Sequence, residues 1–198
     1  MDSPATDPAL RRAIRRVGLL NLSYFGIEFA VALLIVSVSL FADSIDFLED
    51  ASVNFLILMA LGWSARRRAK VGMLLALILL IPSIATLWTA WNKFHLPIAP
   101  DPLPLSITGA GALVVNLSCA LMLTRYRRHS GSMMRAAFLS ARNDALANCA
   151  IIAAGVATAW TSSAWPDLIV GIGIAAMNAD AARTVWAAAR QEHRVAQP

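Results

Sequence analysis

The chain has 198 residues, of which 58% are hydrophobic and only 15% charged, and its mean hydropathy is +0.62. That balance excludes a water-soluble enzyme, since soluble domains carry about 25% charged residues. The formal charge of +5, from 17 Lys and Arg against 12 Asp and Glu, therefore reads as basic residues gathered in the cytoplasmic loops of a membrane protein rather than as a nucleic-acid surface. Cys119 and Cys149 both fall in long apolar runs. They read as packing residues, with no support for a disulfide framework or a thiolate zinc site.

Six apolar stretches lie between charged clusters, each long enough to cross about 30 Å of hydrocarbon with roughly 20 helical residues. They predict an all-α integral membrane protein. Residues 1–16 form a polar basic N-terminus, 17–189 a six-helix transmembrane domain, and 190–198 a short tail. The first predicted helix, 17–36, is too long for a signal-peptide core, so no removable leader is expected. It places Asn21, Tyr24 and Glu28 on one face. Glu28 reads either as a proton-carrying or supporting group, or as an acid packed protonated against a neighbouring helix.

The second predicted helix, 39–63, follows a short turn somewhere between Ser37 and Asp43. Its Asp43, Asp46, Asp50 and Asn54 are spaced three, four and four apart, which keeps them within a stripe about 80° wide at roughly 100° per residue. Glu49 points about 100° away from the centre of that stripe. Asp43 or Ser44 also reads as the cap of a helix that starts late. Asp46 and Asp50 read as functional, because ionisable groups are costly inside a membrane and these two align.

The third predicted helix, 71–91, follows Arg66, Arg67, Arg68 and Lys70. The fourth, 105–124, follows Pro97, Pro100, Pro102 and Pro104 and carries Asn116 as interhelical glue. The fifth, 136–159, repeats the device of the second, with Ser140, Asp144 and Asn148 every four residues, Asn143 at the edge and Arg142 opposite. Asp144 lies about ten residues from the cytoplasmic end, near mid-membrane; a buried acid serving helix association is its other reading. The sixth, 168–189, follows Trp165-Pro166-Asp167, is rich in Ala, and carries Asp180 and Arg183 as a local ion pair. His95, His129 and His193 fall in loops or the tail, where a solvated role is expected.

Orientation follows from the basic residues. Arg11, Arg12, Arg15, Arg16, the 66–70 cluster, Arg125, Arg127, Arg128, Arg135, Arg190 and Arg194 share one side, and the opposite side has Lys93 alone. Six spans with both termini in the cytoplasm satisfy that asymmetry. The polar stripes of the second and fifth helices should face each other, since lipid offers no hydrogen bonds. Three carboxylates on two helices, with a hydroxyl and amides nearby, point to a divalent-cation site, because a doubly charged ion makes such a cluster tolerable. All-oxygen donors favour Mn²⁺, Fe²⁺ or Mg²⁺, while carboxylates leave Zn²⁺, Co²⁺ and Cd²⁺ open.

These residues match a family pattern. Asn21-Leu22-Ser23-Tyr24-Phe25, Glu28 and the run Ser39-Leu40-Phe41-Ala42-Asp43-Ser44-Ile45-Asp46-Phe47-Leu48-Glu49-Asp50-Ala51 resemble the first two helices of the cation diffusion facilitators, and Arg135 to Leu146 resembles their fifth. The resemblance implies a six-helix transmembrane bundle with metal ligands at Asp46 and Asp50 on the second helix and at Ser140 and Asp144 on the fifth. Ser140 stands where the family usually has His or Asp. Asn143, Asn148, Asp43, Asn54 and Glu28 are the candidate supporting groups. Nine residues after Ala189 leave no room for the cytoplasmic C-terminal domain that the family often has.

What the resemblance implies is a secondary transporter, not an enzyme. Its partners are a divalent metal cation, protons and the lipid bilayer, with no nucleic acid and no permanently bound cofactor; the metal is the transported substrate. Efflux by proton antiport with alternating access, a homodimer, and a bacterial inner membrane complete the expectation. The alternative is a membrane partner or structural subunit that kept the fold and lost transport, a reading that Ser140 and the expected lack of the C-terminal domain motivate. An intramembrane aspartyl protease also needs two acids on separate helices, but no Gly-x-Gly-Asp sequence is present.

Overall fold

The computed structural model describes residues 8–60, 84–124 and 131–178, with 60 and 131–142 described by backbone alone. These residues form six helical stretches and no strand: α1 Pro8–Ile35, α2 Val38–Ala60, α3 84–95, α4 Pro102–Thr124, α5 Gly131–Thr161 and α6 165–178. The Arg66 to Lys70 cluster, Arg125, Arg127, Arg128, His129, Asp180, Arg183, Arg190, His193 and Arg194 lie outside the described residues, as does the start of the third predicted helix.

The protein is built with its polar side inward. Leu34, Leu121 and Trp160 are 82%, 74% and 85% exposed, while Asn21, Glu28, Asp43 and Asn148 are wholly buried. In water that arrangement would lose both the apolar burial and the polar solvation; in hydrocarbon it satisfies both. Among the described residues three segments are long and apolar enough to cross a membrane: α1, α4 and Asn143–Thr161 of α5. At 23 residues α2 is also long enough, and what sets it apart is its own acids, Asp43, Asp46, Glu49 and Asp50.

Helix α1 starts nine residues before the apolar stretch read from the sequence. The reason is amphipathicity: Leu10, Ile14 and Val17 form a buried stripe against Ile57 of α2 and Cys119 and Leu123 of α4, while Arg11, Arg12, Arg15 and Arg16 stay exposed. At its other end α1 closes with Val36 in the left-handed region, at φ 54°, and with the Ser37 N–H donating to the Ala32 carbonyl at 2.9 Å. That is the six-to-one bond of a Schellman cap, formed here without the usual glycine. Ser37 then caps α2, its hydroxyl accepting the Leu40 N–H at 3.2 Å. Asp43 is thus more than a turn inside α2 and is not its cap.

Small residues bring the helices together where lipid supplies no hydrophobic drive. A side chain at Gly155 of α5 would collide with the Ser106 hydroxyl of α4, and one at Gly111 of α4 with the Tyr24 hydroxyl of α1. The space left at Gly111 admits the Tyr24 ring, whose hydroxyl donates to the Thr108 carbonyl at 2.6 Å. A central cluster of Ala32, Leu40, Ala42, Leu105, Ala147, Ile151 and Ile174 joins α1, α2, α4, α5 and α6. Against it stands the polar face of α2.

Candidate functional site

Ser39, Asp43, Asp46 and Asp50 recur along α2 at four, three and four residues, so helical geometry alone stacks them on one face. Asn148 of α5 fixes the inner part of this row. Its Nδ2 donates to both carboxylate oxygens of Asp43, at 3.0 and 2.9 Å, and to the Asp144 carbonyl at 2.8 Å. The α5 polar stripe is thereby held against the α2 stripe. Asp144 is partly exposed, and it is the carboxylate that acts most strongly on Asp46.

Glu28 comes in from α1. It is wholly buried, and its carboxyl lies beside that of Asp43, close enough for the two acids to share a hydrogen bond. Two buried acids so placed are tolerated when a proton or a cation lies between them. Asn21, one face-repeat earlier on α1, donates from Nδ2 to the Asp50 carboxylate at 3.4 Å. Its Oδ1 accepts the Cys119 thiol of α4 at 3.5 Å.

The structure therefore gathers Glu28, Asp43, Asp46, Asp50, Asp144 and Asn148. Asn54 is buried but turned to its own helix, its Nδ2 donating to the Asp50 carbonyl at 2.7 Å. Asn143 is exposed. Ser140 falls on α5 in the same four-residue register, and its side chain lies outside the described residues. Among the described residues no three His, Cys, Asp or Glu side chains gather at metal-ligand spacing. The acids form a row along α2 with Asp144 on the neighbouring α5, and not a closed cage.

Two features escaped the sequence. Cys119, read there as a packing residue, is buried within electrostatic reach of both Asp50 and Asp144. The signal available was its seven-residue spacing from Ala112 and the three-residue spacing from Asn116, which place all three on one face of α4. Lys93, read as the lone basic residue on its side, is 3% exposed and paired with Asp167 at 2.8 Å. His95, by contrast, is exposed and bonds within its own turn, to the Trp91 carbonyl at 2.8 Å.

A family model, the cation efflux transmembrane domain, matches residues 14–191. No individual curated protein matches the chain. The matched stretch takes in most of α1 and the whole of the other five helices, including every acid of the row on α2 and its counterpart on α5. A polar interior inside an apolar, multi-pass helical shell is what a protein that moves cations through lipid requires, and the chain belongs to the cation efflux family, the cation diffusion facilitators, whose members are transporters and not enzymes.

Proposed function

We propose that the protein is a secondary transporter that exports a divalent metal cation in exchange for protons by alternating access. Asp46, Asp50 and Asp144 serve as its carboxylate ligands, with Ser140 as a neutral oxygen beside them. The observation that carries this reading is the row of Asp43, Asp46 and Asp50 on one face of α2, against which the Asn148–Asp43 hydrogen bonds hold the stretch of α5 that carries Asp144. Carboxylates crowded away from water need a compensating positive charge, which a divalent cation or protons supply.

Coupling follows from that same competition. Metal binds the ionised carboxylates, so its arrival releases protons and protonation releases metal. Oxygen donors favour Mn²⁺, Fe²⁺ or Mg²⁺ over softer ions. The arginines at the start of α1 mark the cytoplasmic side by the positive-inside rule. A bacterial inner membrane and a two-fold homodimer belong to the same reading.

The test is flux into proteoliposomes under an imposed pH gradient, with Mn²⁺, Fe²⁺, Co²⁺, Zn²⁺, Cd²⁺ and Mg²⁺ offered in turn. Gradient-dependent flux of at least one ion is expected. Asp50→Ala and Asp144→Ala should each abolish it while the variants still elute as folded protein on size exclusion. Wild-type flux in either variant would remove that residue from the site.

A further inference from the structure

At the end of the bundle away from Arg11, Arg12, Arg15 and Arg16, one buried carboxylate ties four helix ends together. Asp167, in the first turn of α6, is 0% exposed. Its Oδ2 accepts Lys93 Nζ of α3 at 2.8 Å and the Val38 N–H of α2 at 2.9 Å. Its Oδ1 accepts the hydroxyls of Ser37 and Ser39, each at 2.6 Å, and the Ser39 N–H at 3.2 Å. Lys93 also donates to the Val36 carbonyl at the end of α1, at 2.6 Å. Val38, Ala90 and Leu168 form an apolar layer in the same place.

This cluster stands over the row of acids. Ser39 shares the face of α2 that carries Asp43 and Asp50, one turn above Asp43. Every residue from Ser37 to Ile45 is buried, whereas Asp46, Asp50 and Asp144 are partly exposed. The row is therefore fully covered at its Ser39 end and less covered towards Asp50. We propose that the Lys93–Asp167 pair, with Ser37 and Ser39, is the gate that closes the Ser39 end, and that the transport cycle opens it by drawing α3 and α6 off the α1–α2 corner.

A buried ion pair suits that task. Dry and fully hydrogen-bonded it holds, and losing one partner leaves the other stranded; once wetted, the same pair contributes little. The gate is thus two-state, shut and dry or open and wet. As a gate it rests on the transporter reading, but its closure can be read without any flux.

The first measurement is the labelling rate of an Asp43→Cys thiol, in a Cys149→Ala background, by a membrane-impermeant cationic methanethiosulfonate added from the side away from the arginines. Slow labelling is expected with Lys93 in place, a rate at least tenfold higher with Lys93→Gln, and slow labelling again with Lys93→Arg. Equal rates in all three overturn the proposal. Because Lys93→Gln can unfold the protein, the second measurement leaves the pair intact: Val38→Cys/Leu168→Cys joins α2 to α6 beside it. Flux should fall to background on oxidation and return on reduction, and undiminished flux through the fully bridged protein overturns the gate. No flux in the reduced form, with Lys93-dependent labelling, would fail the transporter reading and keep the closure.

Discussion

The amide of Asn21 shows how much one side chain decides. An amide presents a donor at one end and an acceptor at the other, and the Cys119 thiol at Oδ1 leaves Nδ2 directed at Asp50. Under the proposed function Asn21 would thereby orient Asp50 before a cation arrives, the usual task of an outer-shell partner of a metal ligand. Asn21→Leu keeps the volume and removes the donor. It should raise the KM for the transported metal about 10-fold to 100-fold, with a smaller change in maximal rate, while Cys119→Ser stays near wild type. Uptake kinetics in proteoliposomes decide it, and an unchanged KM would mean that Asn21 only packs. The sequence placed Asn21 on a face with Tyr24 and Glu28 because periodicity within α1 is local. It did not show that the face meets Asp50, because helix rotation against a neighbour is set by the packing of both.

Among the elements, α2 carries the most demanding geometry, and its first turn is held from outside. The backbone N–H groups of Val38 and Ser39, which no helix can satisfy internally, both end on Asp167. That requires α6 to lie against α2, and Gly171 permits it: a Cβ there would sit 2.7 Å from the Val38 carbonyl carbon and 2.8 Å from the Ser39 nitrogen. Those are backbone atoms and cannot rotate away. Gly171→Ala should force the helices apart and destabilise the protein by about 1–3 kcal/mol, read as a lower unfolding midpoint in detergent. It should also draw Asp167, one turn earlier on α6, away from its partners. An unaltered midpoint would show that α6 yields freely at this contact. The acidic row of α2 was legible in the sequence from its three-and-four spacing. The helix start at Val38 was less so, because the caps are Ser37 beside it and an aspartate 129 positions on.

For the whole molecule, the polar interior is also a reserve of unfavourable charge, which a bound cation would relieve under the proposed function. A ligand that binds the folded state alone stabilises it by about 2.7 kcal/mol at a hundred times its Kd. The transported metal should therefore raise the thermal midpoint of the detergent-purified protein, and Asp50→Ala should remove the shift. A shift of equal size in that variant would place the bound ion elsewhere. The sequence by itself determined the solvent and the helices: hydropathy requires lipid, lipid requires helices with satisfied backbones, and polar residues three and four apart mark the faces turned inward. Membership of the cation efflux family was legible for the same reason, since its signature lies along single helices. Only the tertiary structure decided which groups meet across helices. Lys93, isolated in the sequence, shares a dry carboxylate with the start of α2. Cys119, apolar by its surroundings, stands beside the acids. Periodicity is a property of one helix, while a contact between Ser37 and Asp167 depends on how six of them pack, and no local pattern along the chain encodes that.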